Sequence, residues 1–73
     1  MTQSGSADTG TRDKDYDLVS VVYHALEGAS TYGRYQEDAR RERDEQAERF
    51  FQQAIERERA TANEGKRLLK ERL

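Results

Sequence analysis

The chain has 73 residues, of which 33% are hydrophobic and 38% are charged, and it contains no Cys, Pro or Trp. This length allows one domain, and the lack of Cys excludes disulfides, thiolate metal sites and a cysteine nucleophile. The net charge of −2, with acidic and basic residues alternating, argues against a nucleic-acid partner. No apolar run is long enough to cross a membrane. Because no signal peptide is recognisable, we expect a cytoplasmic protein.

Residues 1–14 are almost entirely polar, and Ser, Thr, Gly and Asp predominate among them. Such a segment cannot bury enough apolar surface to offset the entropy that ordering removes. We therefore expect residues 1–14 to form a disordered N-terminal tail.

Two stretches follow in which apolar residues recur every three or four positions, as in an amphipathic helix. They predict a first helix over about 15–40 and a second over about 45–72, joined by a charged turn at about 41–44. Asp15 or Asp17 is expected to cap the first helix, and Asp44 followed by Glu45 to start the second. Similar helix lengths and a short connector favour an all-α fold, an antiparallel two-helix hairpin.

A turn centred near Glu42 and Arg43 determines which residues meet across the hairpin. The predicted pairs are Ala39 with Ala47, Gln36 with Phe50 or Phe51, Ala29 with Glu58, and Ala25 with Thr61 or Ala62. Gly65 falls on the core side of the second helix, where its missing side chain allows a close backbone approach to Val22.

The apolar stripe on each predicted helix spans about 140° of its circumference, which is wider than one neighbouring helix covers. Each large apolar side chain left in water forgoes roughly 1.5–3 kcal/mol of burial energy. We therefore expect two hairpins to pack face to face as a homodimeric four-helix bundle with coiled-coil-like packing. The residues predicted to pack in the core or the dimer interface are Leu18, Val22, Leu26, Phe50, Phe51, Ile55, Leu68 and Leu69. Those expected to stay wet in a lone hairpin are Val22, Leu26, Phe51, Ile55 and Leu69.

Glu58 interrupts the apolar stripe of the second helix between Ile55 and Ala62. A carboxylate at such a position is costly unless it is paired or hydrogen-bonded. We interpret Glu58 as a polar core contact that hydrogen-bonds Tyr32 or His24, or reaches the edge, and fixes the packing register. The alternative is a metal ligand, with Glu58 from two subunits converging near the dimer axis.

His24 is the sole histidine, and Glu27 lies one helical turn after it. An imidazole and a carboxylate at this spacing can share a cation. The ordinary interpretation is a contact on an exposed helix face, because Glu27 projects nearly opposite the apolar stripe. Tyr16 and Tyr23, one heptad apart on the far side of the first helix, are either edge packing or a binding patch for a partner protein.

Helical hairpins that dimerise into four-helix bundles resemble half of a ferritin-like protein, and here the resemblance covers Asp15 to Leu73 in architecture. The ferritin-like di-iron motif is Glu-x-x-His on a core-facing side of a helix, whereas this chain has the reverse order in His24-x-x-Glu27. The resemblance implies an alternative function, a metal-binding half-bundle that uses Glu58 with His24 or Glu27. Because no Ser-His-acid set, nucleotide motif or zinc motif occurs, the main interpretation is a non-catalytic interaction or structural module without a cofactor.

Overall fold

Two helices account for nearly all of the chain that the structure describes. The computed structural model describes residues 13–73, in which α1 spans Asp13–Arg41 and α2 spans Glu45–Arg72. The helices pack against each other along their length, and residues 13–73 contain no strand. The predicted all-α hairpin is therefore confirmed. Residues 1–12, which make up most of the predicted tail, lie outside the described residues.

The first helix begins earlier than predicted. Asp13 and Lys14, which we assigned to the tail, are the first residues of α1. Asp15 and Asp17 were expected to cap the helix but lie within it. Carboxylates stabilise a helix start wherever they fall in its first turn, because they face the free amides and the positive end of the dipole. Alternating Asp residues therefore mark the start of α1 without specifying one capping position.

A Schellman motif ends α1 and leads directly into α2. Arg43 has a left-handed φ of 59°, and its N–H donates to the Arg40 carbonyl oxygen at 3.1 Å. The Asp44 N–H donates to the Ala39 carbonyl oxygen at 2.9 Å. Asp44 also caps α2, because its carboxylate accepts from the Ala47 N–H at 3.1 Å. The predicted start of the second helix is confirmed.

The core between the helices is narrow and built from small side chains. The buried apolar residues are Ala25, Ala39, Ile55 and Ala62, and no large side chain of the described chain is fully enclosed. Ile55 is only 5% exposed, so the expectation that a lone hairpin leaves it wet was wrong. It lies seven residues before Ala62 and therefore on the same seam-facing side of α2.

Side chains to either side of this seam are only partly covered. Val22, Phe51 and Leu69 are half-buried, as are Leu18 and Leu68. Leu26 is 43% exposed and Phe50 is 60% exposed. One helix therefore covers the centre of its neighbour's apolar stripe and leaves the stripe's edges in water.

Contacts across the seam fix the register of the hairpin. Gly65 lies directly against Val22, as predicted: a Cβ added at Gly65 would come within 2.4 Å of Val22 Cγ2. Phe51 packs on the Tyr35 ring, with ring centroids 5.7 Å apart. Gln36, predicted to face Phe50 or Phe51, instead donates from Nε2 to Gln52 Oε1 at 2.7 Å. The aromatic and amide pairs therefore occupy opposite edges of the seam.

Gly65→Ala is expected to destabilise the hairpin. The added methyl group would overlap Val22, whose β-branched side chain has essentially one rotamer in a helix. Overpacking of this kind costs about 1–3 kcal/mol, which exceeds or matches the gain of about 1 kcal/mol in helix propensity. The measurement is chemical denaturation followed by circular dichroism.

Gly33→Ala is the matched control, because no atom lies within 4 Å of a Cβ built there. That variant should gain up to about 1 kcal/mol from helix propensity alone. The double variant Gly65→Ala/Val22→Ala should recover much of the loss. If Gly65→Ala stabilised the chain as much as Gly33→Ala does, the close approach of the two helices would be refuted.

Candidate functional site

An apolar groove runs along one face of the hairpin from the turn to the open end. Its α1 side is formed by residues at seven-residue spacing, and so is its α2 side. We call this surface the groove face and define it by Val21, Gly28 and Tyr35 on α1 with Phe51, Glu58 and Gly65 on α2. It contains a shallow depression at each end and Glu58 in the middle.

The turn end of the groove face is aromatic. The depression there has a volume of about 320 Å³ and is lined by Tyr35, Ala39, Ala47 and Phe51 with acidic residues at its rim. The rings of Tyr35 and Phe51 meet edge to face, and Phe50 packs on Phe51 with centroids 5.7 Å apart. Phe50 nevertheless remains 60% exposed. This end presents aromatic carbon to solvent with little covering it.

The open end of the groove face is aliphatic. Its depression, about 400 Å³ in volume, is lined by Leu18, Val21, Thr61, Gly65 and Leu68, among others. Val21 is 50% exposed even though it faces this depression. Small residues of α2 therefore leave a recess between aliphatic side chains, open along its length.

Two ion pairs that share Arg67 border the open end. The Arg67 guanidinium donates to Glu64 at 2.6 Å and to Glu71 at 2.9 Å. The hydrogen bond from Arg67 and its positive charge hold the pKa of the Glu64 carboxyl below its usual value. Because these groups are solvated, the pairs add little to stability. They mark the polar rim of the groove face.

Glu58 lies in the middle of the groove face beside Gly28. A Cβ added at Gly28 would be 3.5 Å from Glu58 Cδ, which places the carboxyl group in contact with the α1 backbone. The side chain is half-buried, and no hydrogen bond or ion pair joins it to another of residues 14–73. Within a single hairpin, Glu58 therefore makes neither of the predicted hydrogen bonds, to Tyr32 or to His24, and reaching the edge of the seam is the predicted possibility that remains. A carboxylate in an apolar groove is left with solvent as its partner.

His24 and Glu27, the other candidate ligands, are both exposed. The His24 ring contacts the edge of Tyr23, with centroids 5.4 Å apart. Within residues 14–73, no three His, Cys, Asp or Glu side chains are grouped so that they could hold a metal ion. A single hairpin therefore does not bring Glu58, His24 and Glu27 together.

The opposite face of the hairpin is polar on its α2 side. Arg40 Nε donates to Glu48 Oε2 at 2.9 Å, and Gln52 donates to Glu56 at 3.1 Å. Leu26, which is two heptads before Arg40, lies on this same side of α1. The groove face is thus the side on which both helices contribute apolar surface.

Tyr35 and Phe50 contribute exposed aromatic surface to the groove face. Tyr35 is 45% exposed and Phe50, which was predicted to pack in the core or the dimer interface, is 60% exposed, so a single hairpin covers neither ring fully. The seven-residue spacing of Val21, Gly28 and Tyr35 was the signal in the sequence that could have identified this surface.

Comparison with protein-family models, with curated proteins and with solved structures finds no match to this chain. Neither helix of the described segment is long and apolar enough to cross a membrane.

Divalent metals are expected to leave the melting temperature unchanged. Protein sites for zinc or iron use at least three side-chain ligands, and residues 14–73 do not group three in one chain. The measurement is thermal unfolding with and without excess Mn²⁺, Zn²⁺ or anaerobic Fe²⁺. A rise in melting temperature that disappears in Glu58→Gln, but not in the control Glu42→Gln at the exposed turn, would contradict this and favour the metal-binding alternative.

Proposed function

We propose that this protein is a non-catalytic interaction module that works as a homodimer, with two hairpins joined through their groove faces into a four-helix bundle. The observation that carries the proposal is the exposed groove face, together with the small core beneath it. Its role is to present the charged outer surfaces of α1 and α2, and the N-terminal segment, on a symmetric helical scaffold.

The small size of the enclosed core supports the proposal that the hairpin associates with a second chain. Three of the four buried apolar residues are alanines, which contribute little burial energy. A chain of this size gains only about 3–5 kcal/mol from a single core even when that core is well packed. The hairpin measures 48 × 24 × 14 Å, so it is one layer of helices thick. Stable domains enclose their core between two layers.

A second copy of the chain suits the groove face. Aromatic and aliphatic recesses on one copy can receive the corresponding side chains of another, which is how a two-fold interface matches one surface to itself. Residues 1–12 are poorly suited to cover the face, because Met1 and Ala7 are their only apolar residues. A hydrophobic surface that spans the whole hairpin is typical of obligate helical dimers.

Nothing on the groove face supports catalysis. No hydrogen bond or ion pair joins Glu58 to another of residues 14–73, and His24 is solvent-exposed with a tyrosine ring against it. General acid–base chemistry needs convergent groups in a site that excludes water. The surface is better suited to binding than to reaction.

Phe50→Glu is expected to break the dimer. Phe50 projects from the aromatic end of the groove face, and burying a Phe side chain contributes roughly 1.5–3 kcal/mol per copy. A carboxylate there would also have to be desolvated, so dimer affinity should fall by at least about tenfold. Light scattering after gel filtration should give twice the chain mass of 8.5 kDa for the wild type and a lower mass for the variant.

Tyr23→Glu is the matched control, since Tyr23 is 59% exposed and Phe50 is 60% exposed. Tyr23 lies on α1 away from the groove face, so this variant should remain dimeric. A wild-type mass of 8.5 kDa at micromolar concentration would refute the proposed dimer. Equal loss of mass in both variants would refute the groove face as the interface.

A further inference from the structure

Glu58 and Gly28 lie side by side in the middle of the groove face, near the midpoints of α2 and α1. The groove face runs the full length of the hairpin, so two copies bury the most apolar surface when they overlap completely. In full overlap, a two-fold axis maps this middle layer onto the middle layer of the partner. The residue that meets Glu58 then depends only on whether α2 packs on α2 or on α1 of the partner subunit.

Face-to-face stacking by a two-fold axis gives two kinds of dimer. In one kind, α2 lies on the partner's α2, and Glu58 meets Glu58 of the partner subunit. In the other kind, α1 lies on the partner's α2, and Glu58 lies over Gly28 of the partner subunit. The Glu58 carboxylate therefore has different neighbouring groups in the two arrangements.

The second arrangement satisfies the groups that a single chain leaves unsatisfied. Two carboxylates facing each other in an apolar interface repel and are both desolvated. Gly28 has no side chain, and its own Glu58 carboxyl group lies beside it. When both Glu58 side chains turn toward the partner, each exchanges this contact for the equivalent one with Gly28 of the partner subunit. His24 lies one helical turn before Gly28 on the same side of α1, and it is exposed with a ring contact to Tyr23. An imidazole N–H can donate to a carboxylate in either protonation state.

From this juxtaposition we propose that the dimer packs α1 on the partner's α2, with each Glu58 seated over the partner's Gly28 and hydrogen-bonded to the partner's His24. This deepens the proposed function and rests on it, since it presupposes the homodimer. The reciprocal Glu58–His24 bonds select one helix pairing over the other. They also account for a carboxylate at the centre of an otherwise apolar face, and for the sole histidine of the chain.

Introduced cysteines distinguish the two arrangements, because the chain has none of its own. A disulfide requires Cα atoms about 4.4–6.8 Å apart, so only residues directly opposite each other will link. A mixture of Gly28→Cys and Glu58→Cys chains, refolded together and oxidised by air, should give mainly the mixed disulfide. Each variant alone should give little covalent dimer. Predominant self-linking of Glu58→Cys would overturn the proposed pairing.

A double-mutant cycle tests the hydrogen bond without cysteines. His24→Gln and Glu58→Gln should each raise the dimer dissociation constant, by roughly tenfold for a bond to a charged group. The double variant should lose little more than either single variant. Additive losses, or no change in His24→Gln relative to the control Glu27→Gln, would refute the bond.

The two proposals fail in different ways. If the wild-type chain is monomeric by light scattering, the homodimer itself is wrong, and the pairing falls with it. If the wild-type chain is dimeric but Glu58→Cys links to itself, the dimer stands and only the pairing is wrong. That second outcome would also restore the convergence of two Glu58 carboxylates on which the metal-binding alternative depends.

Discussion

The narrowness of the seam between two helices is the constraint on which the rest of this structure depends. One helix covers only the centre of an amphipathic neighbour's apolar stripe, so the seam encloses Ala25, Ile55 and Ala62 and leaves the edges of both stripes exposed. Gly65 makes this narrow contact close, because its missing side chain lets α2 approach Val22 directly. Closer approach strengthens the centre of the seam but cannot cover its edges.

The exposed edges are not equivalent. On the side of Arg40 and Glu48, polar and charged groups of α2 stand beside the exposed aliphatic residues of α1. On the groove face, aromatic residues at the turn end and aliphatic residues at the open end come from both helices. Charge patterning therefore leaves one of the two surfaces better suited to burial than the other.

Much of the fold could be predicted from periodicity and capping chemistry. Helical spacing predicted both helices, Asp44 predicted the start of α2, and the turn position predicted that Gly65 would meet Val22. The start of α1 was misplaced because several Asp residues can each stabilise a helix start. The exposure of Ile55 was misjudged because a stripe width gives a range of angles, whereas burial depends on which residue faces the neighbouring helix.

The site was harder to predict than the fold. Glu58 was recognised from its place in an apolar stripe, but its neighbour Gly28 follows from the register of the two helices, which sequence spacing gives only to within a residue. The orientation of His24 and the exposure of Phe50 likewise depend on three-dimensional packing. Whether these residues act together depends on a second chain, and no pattern within one chain specifies its partner's position.

We propose that the hairpin obtains much of its stability from a second copy. Thermal unfolding of the wild-type chain over a roughly hundredfold range of concentration tests it most directly, because mass action makes the stability of an associating fold depend on concentration. We expect a melting temperature that rises steadily with concentration. A melting temperature that stays constant across the range, with cooperative unfolding throughout, would contradict it.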